Sequence, residues 1–292
     1  MGRGLVGIAV AALALTVSVT ASGGTAPLQH VTVIGDSVAD GIGVDARAQA
    51  LLGQGIDVDL ELAPCRRLEG VSCPVNGVRP QNAIDLIGAL GSKIGPNVVV
   101  AVGYNDHEDE YAGDVEDTLA ALKSAGVKHV FWLTLRAARH PYVTMNADIA
   151  ASAAKHPELT VVDWNVYSRS HPDWFQDDGI HLKNLGSEMM ATLIHKALLQ
   201  AGVAAAPPRI ATAALPLAHR GHAYRATLRG LGGTRPYSWS LLERAPAGIH
   251  LEASGLVEGT PRARVGRYTF DVQVRDANGS MTTRGLTLRI AR

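Results

Sequence analysis

The sequence predicts an α/β domain built on a parallel sheet, followed by a smaller all-β domain, and three observations lead there. From His30 to about Gly202, short β-branched runs alternate with longer amphipathic stretches, the pattern of strands and helices packed in layers. Within that region Val98-Val99-Val100-Ala101-Val102 is apolar without interruption, which suits a central strand covered on both faces and not a surface hairpin. Beyond Gly202 the texture changes. Ala204-Ala205-Ala206-Pro207-Pro208 reads as a linker, and from Arg209 onward short strand-like runs alternate with Gly and Pro turns. A chain of 292 residues has room for two cores, because single cores stop growing near ~250 to 300 residues.

Five strands are expected in the first domain, at His30–Ile34, Ile56–Leu62, Asn97–Val102, His129–Leu135 and Leu159–Trp164. Between and after them, apolar residues recur every three or four positions around 39–52, 79–90, 113–125, 144–155 and 186–201, the spacing of helices with one buried face. In the second domain the turn signals Gly232-Gly233, Pro246-Ala247-Gly248, Gly259-Thr260-Pro261 and Asn278-Gly279 separate strands at the 8 to 12 residue spacing of a small sandwich. Asn278-Gly279, flanked by Phe270–Val274 and Leu286–Ile290, predicts a hairpin.

With 47% hydrophobic and 18% charged residues, the composition excludes wholesale disorder and a chain of many membrane spans. Arg3 precedes an apolar run from Leu5 to Val19 and then small residues to Gly24, the layout of a secretory signal with cleavage expected after Ala21. That run is short of the roughly 20 residues of a membrane span, and the alternative is an uncleaved anchor. Either way the rest of the chain is expected outside the cytoplasm, secreted or attached to the cell envelope. In that oxidising setting Cys65 and Cys73, the only cysteines, are expected to form a disulfide closing a small loop; two buried thiols are the alternative. No His, Cys and Asp cluster has metal-ligand spacing. Charge divides with the domains: residues 209–292 hold thirteen Arg, no Lys and five acidic residues, a balance of +8, and residues 1–208 carry −8. A basic module of this kind suits an anionic surface such as a cell envelope, or complements the acidic domain.

Three short segments carry chemistry. The first strand runs into Gly35-Asp36-Ser37, with Gly41 four residues after the serine. A serine there sits at the C-terminal edge of a parallel sheet, where open α/β folds place their ligands, and at the start of a helix. Taken alone, Asp36 or Ser37 is equally a helix cap. The third strand ends in Gly103-Tyr104-Asn105-Asp106, where a side-chain amide can donate to a negative oxygen or simply make a turn. Before the last helix stands Asp178-Gly179-Ile180-His181, a spacing that lets a carboxylate reach one ring nitrogen while the other faces a nucleophile. Trp174, Phe175 and Tyr104 stand beside these residues, as pocket lining or as core.

Together, and in this order, the three segments resemble the sequence blocks of the SGNH (GDSL-like) hydrolase family over about residues 29 to 202. The resemblance implies a three-layer α/β/α, flavodoxin-like domain with a five-stranded parallel sheet. It implies Ser37 as nucleophile, His181 as base and then acid, Asp178 as its orienting carboxylate, and the Ser37 N–H with Asn105 as oxyanion donors. No cofactor is implied. The substrate would be an ester of a small molecule, glycan or lipid, with acylated carbohydrate or envelope material ahead of long-chain lipid. Acyl transfer to an alcohol is the rival within enzymes, and a non-catalytic envelope-binding protein the rival outside them. One departure stands out: the family has a glycine donor after the second strand, whereas here the chain reads Ala63-Pro64-Cys65-Arg66-Arg67-Leu68-Glu69-Gly70. Gly70 and the backbone of Arg66 or Arg67 are the candidates. After a linker at 203–208, residues 209–292 resemble an immunoglobulin-like module of the cadherin-like kind, carried by Gly232–Trp239, Ala247–Leu251 and Gly266–Asp276. Its charge makes an anionic envelope the expected partner, and no nucleic acid is expected.

Overall fold

The computed structural model describes residues 28–292; the expected signal at 1–21 lies outside the described residues. The first domain has five parallel strands, β1 (His30–Gly35), β2 (Asp57–Leu62), β3 (Asn97–Ala101), β4 (His129–Leu133) and β5 (Leu159–Val162), in the order β2-β1-β3-β4-β5. The chain starts at β1, steps outward to β2, then crosses back to β3, so the order reverses beside β1. Ligands of doubly wound sheets bind at the C-terminal edge at such a reversal. Register follows burial. Val31, Val33 and Ile34 of β1 and Val98 to Val100 of β3 are wholly buried, as expected of strands with helices on both faces.

The helices are α1 (Asp40–Val44), α2 (Ala46–Leu52), α3 (Ala83–Leu90), α4 (Tyr111–Ser124), α5 (His140–Ala153), α6 (Trp164–Ser168) and α7 (Asn184–Gln200). Two departures from the sequence expectation have local causes. The helical stretch expected around 39–52 is broken at Asp45, whose backbone is extended and whose side chain accepts from the N–H groups of Arg47 and Ala48. An aspartate that can cap a new helix competes with continuing the old one. Strand β5 stops at Val162 because Asp163 caps α6, accepting from Val166 N at 3.0 Å. Behind α6 lies an aromatic cluster in which Trp164 stacks on Trp174 at 6.0 Å between ring centroids, with Phe175 at 5.9 Å.

The expected linker at 203–208 starts within the first core. Val203 and Ala204 are buried there, and Ala205 N donates to Gly55 O. The second domain contains strands β6 (Arg209–Ile210), β7 (Ala218–His219), β8 (Tyr224–Thr227), β9 (Gly230–Leu231), β10 (Ser238–Leu241), β11 (Ile249–Leu251), β12 (Leu256–Gly259), β13 (Gly266–Arg275) and β14 (Met281–Ala291). They form sheets ordered β10-β13-β14-β7 and β11-β12-β8, with β6 paired to β9. The separate core between them includes Trp239, Val257, Phe270, Val272, Leu286 and Leu288. The expected hairpin joins β13 to β14, but through a longer loop than a two-residue Asn-Gly turn. Arg275 pairs with Met281, and the Asp276 carboxylate accepts from the N–H groups of Asn278, Ser280 and Thr234.

Gly35, the last residue of β1, has no room for a side chain. A Cβ there would lie 2.6 Å from Ala39 Cβ and 2.7 Å from Leu62 Cδ2. Gly35→Ala is therefore expected to destabilise the first domain by about 1–3 kcal/mol, the usual range for overpacking. Urea unfolding measures it, and an unchanged midpoint would mean that the strand end can spread.

Candidate active site

The site begins with a buried carboxylate. Asp36 follows β1 and is wholly inaccessible to solvent; its Oδ1 accepts from Val38 N at 2.9 Å, and its Oδ2 from Gly103 N at 3.2 Å and Tyr104 N at 3.1 Å. Its own N–H donates to Ala101 O at 3.1 Å. One side chain thus ties the turn carrying Ser37 to the turn after β3 carrying Asn105. Burial pushes Asp36 up to about 6, against the three N–H donors that favour its charge. Gly41, four residues past the serine, lets α1 lie against α7: a Cβ there would meet Ser187 Oγ at 2.5 Å.

Ser37 Oγ lies 2.9 Å from His181 Nε2, and His181 Nδ1 lies 2.5 Å from Asp178 Oδ2. Asp178 Oδ1 also accepts from the N–H groups of Ile180 at 2.9 Å and His181 at 3.0 Å, so the carboxylate closes its own turn and orients the ring from the same residue. The hydrogen bond from His181, followed by that from Ile180 N, holds Asp178 down to about 2. It is therefore ionised throughout the ordinary pH range. The loop is anchored behind: Gln176 N donates to His181 O, Lys183 N to Trp174 O, and Phe175 bridges to Leu182. Trp174 and Phe175 are buried in the core under this loop. Arg136 holds its guanidinium 3.8 Å from the Phe175 ring, a cation–π contact that sequence reasoning missed for want of any local motif. The side chains of His181 and Asp178 remain 42% and 39% exposed, so the dyad is open to a bulky ligand.

Asn105 donates one amide hydrogen to Arg66 O at 3.2 Å, leaving its second hydrogen free for a ligand. Tyr104 is half-buried, packs edge-on against Tyr142 at 5.0 Å, and its hydroxyl oxygen accepts from Arg136 N at 2.6 Å. Asp106 accepts from Leu68 N at 2.8 Å and lies 3.7 Å from Arg67, fastening the loop after β2; burial pushes it up to about 7. In that loop Cys65 and Cys73 are joined in the expected disulfide. Of the backbone donors considered there, Arg66 N is engaged by Ala63 O at 3.3 Å and Arg67 N by Ser72 Oγ at 3.4 Å. Gly70 lies exposed, its carbonyl accepting from Asn82 Nδ2.

Comparison with known proteins gives likenesses to separate parts of the chain. Residues 207–291 match the family model described as "Putative Ig domain". The O-acetyltransferase OatA of Staphylococcus aureus is 33% identical over 107 residues, which are 37% of this chain and 17% of that protein. The chain spans about a quarter or less of the length of the curated relatives it matches. Among solved structures, the C-terminal catalytic domain of Streptococcus pneumoniae peptidoglycan O-acetyltransferase A covers 61% of this chain and 96% of its own, at 21% identity and a TM-score of 0.45. A family 3 carbohydrate esterase of Clostridium thermocellum covers 60% and 96%, at 15% identity and the same TM-score. The first domain is a three-layer α/β/α fold, with helices on both faces of a five-stranded parallel sheet in the order given above. The second is immunoglobulin-like.

The raised Asp36 carboxyl gives stability a pH dependence of known sign. The folded protein keeps this proton to about pH 6, whereas the unfolded chain releases it near 3.8. Its contribution is therefore greatest below about pH 4 and is lost as pH rises through 6, on the order of 3 kcal/mol in all. Urea unfolding of the parent and of Asp36→Asn at pH 4 and pH 7 should show a smaller loss between the two pH values in the variant. Equal losses would mean that another group carries the titration.

Proposed function

We propose that the first domain is a serine enzyme that forms an acyl-enzyme on Ser37 from short acyl esters of envelope carbohydrate and passes the acyl group to water. The observation that carries this reading is the unbroken line from Asp178 through His181 to Ser37, whose turn Asp36 ties to the turn bearing Asn105. In the first step Ser37 Oγ attacks the ester carbonyl while its proton moves to His181 Nε2. The carbonyl oxygen becomes negative and is met by the Ser37 N–H and the free hydrogen of Asn105. Collapse breaks the bond to the alcohol, which leaves with the proton from His181. Water then attacks the acyl-enzyme, giving its proton to His181, and release of the carboxylic acid restores Ser37. Asp178, ionised throughout, keeps Nδ1 protonated and stabilises the transient imidazolium.

Carbohydrate is favoured over long-chain lipid because the dyad is open to solvent, and because the relatives include proteins named for acyl chemistry on peptidoglycan and carbohydrate. A second reading has the same first step with a sugar hydroxyl in place of water as acceptor; the likeness to OatA favours it. Work outside the cytoplasm is supported by the disulfide. No helix among the described residues is long and apolar enough to cross a membrane.

Purified chain is expected to hydrolyse p-nitrophenyl acetate, with kcat/KM lowered at least roughly 10⁴-fold by Ser37→Ala or His181→Ala. Asn105→Ala should cost ~10² to 10³ in kcat. A parent that neither turns over this ester nor reacts with a fluorophosphonate would sink the reading. Addition of a sugar acceptor separates the two fates of the acyl group: acetylated sugar, in place of free acetate, selects transfer.

For the second domain we propose attachment to anionic polysaccharide. A groove of about 580 Å³ is lined by Arg229, Arg235, Tyr237, Trp239 and Ser254, and neither arginine has an acidic partner among the described ion pairs. The part-exposed Tyr237 ring beside two guanidinium groups suits an acidic sugar polymer. The full chain should bind polygalacturonate beads at low salt, and the variant carrying Arg229→Ala and Arg235→Ala should elute at lower salt. Equal elution would exclude the groove.

A further inference from the structure

We propose that a third donor to the reacting oxygen is the backbone N–H of Cys65, and that the disulfide to Cys73 is what keeps this N–H in place. The inference rests on the acyl-enzyme reading above. Residues 63–66 form a tight turn closed by Arg66 N donating to Ala63 O at 3.3 Å. Pro64 takes the first central position and Cys65, with φ of +67°, the second; this is a type II turn. The second position calls for a left-handed backbone and is normally filled by glycine, because a Cβ crowds the neighbouring carbonyl there. Among the described residues Cys65 and Asn76 alone adopt positive φ without being glycine, and asparagine tolerates that conformation through its short polar side chain. Cys65 has no such excuse. It does have a covalent tether eight residues away.

The turn stands where a donor is wanted. Ala63 N donates to Gly35 O at 3.1 Å, two residues ahead of Ser37, and Arg66 O accepts from Asn105 Nδ2 at 3.2 Å. Cys65 therefore lies between two contacts, one to the strand end that bears the serine and one to the amide expected to meet the same oxygen. Its N–H belongs to the central peptide of the turn and has no acceptor among the described residues, whereas the N–H groups of Arg66 and Arg67 are already engaged. A glycine would adopt this conformation without strain and without a tether. With cysteine, the crosslink supplies the restraint that the missing glycine would not need.

The test compares three full-length proteins on p-nitrophenyl acetate: the parent, a variant with Cys65→Gly and Cys73→Ser, and one with Cys65→Ala and Cys73→Ser. Each is assayed with and without dithiothreitol, which reduces the disulfide to two thiols as it closes to its own cyclic disulfide. Loss of the donor should lower the parent's kcat on reduction by at least roughly 10-fold, towards the ~10² to 10³ of a missing oxyanion donor, with KM little changed. The Ala variant should resemble the reduced parent. The Gly variant should keep kcat within about 3-fold of the oxidised parent and ignore dithiothreitol, since glycine adopts the left-handed turn unaided. If the crosslink merely steadies the loop, glycine, the more flexible residue, does no better than alanine, and that result overturns the proposal. A parent that is inactive and unlabelled by fluorophosphonate removes the acyl-enzyme reading and this inference with it. An active parent with equal variants removes the inference alone.

Discussion

The arrangement of the site depends on a single buried carboxylate. Asp36 has no contact with solvent and spends both oxygens on backbone N–H groups, one at the start of its own turn and two at the end of the neighbouring strand. Desolvating a charge is costly, and here three donors offset part of that cost. Hydrogen bonds of this kind are directional, so the turn bearing Ser37 and the turn bearing Asn105 cannot slide past each other without stranding the carboxylate. The proposed attacking oxygen and its proposed amide donor are thus aligned by a residue that touches neither reacting atom.

Much of this was legible in the sequence, for local reasons. Strand edges, helix faces and the disulfide follow from hydrophobic period and compartment, and the segments around Ser37, Asn105 and Asp178 fall at the ends of elements whose periodicity could be read. What stayed hidden was non-local or turned on competition between neighbours. Asp36 reads as a helix cap until β3 is placed beside β1. Asp45 divides a helical stretch whose apolar spacing runs straight through it, because a capping side chain outweighs the continuing pattern. Val203 and Ala204 look like linker by composition, yet the end of α7 delivers them to the core. Arg136 finds Phe175 across the fold, and Cys65 takes a backbone conformation that its residue type disfavours.

The aromatic cluster beneath the 178–181 loop explains how an exposed pair of side chains keeps its geometry. Trp174 and Phe175 are held by Trp164 from α6 and by the Arg136 guanidinium, so the loop is rigid from below although its upper side is wet. Solvent reaches the pair from above, and aromatic packing below limits the motion that such access would otherwise permit.

Asp178 and His181 make their mutual contacts within four consecutive residues, so this pair is assembled by local folding alone. The bond from His181 to Ser37 is of the opposite kind: it spans 144 residues, from the first strand of the domain to the loop before its last helix. During synthesis the chain would emerge with its serine early and its histidine late. Any chemistry dependent on that bond would be silent until nearly the whole domain had been delivered and its two ends brought together. A nascent or truncated chain would carry the serine turn without the histidine that bonds to it, so this contact reports completion of the domain.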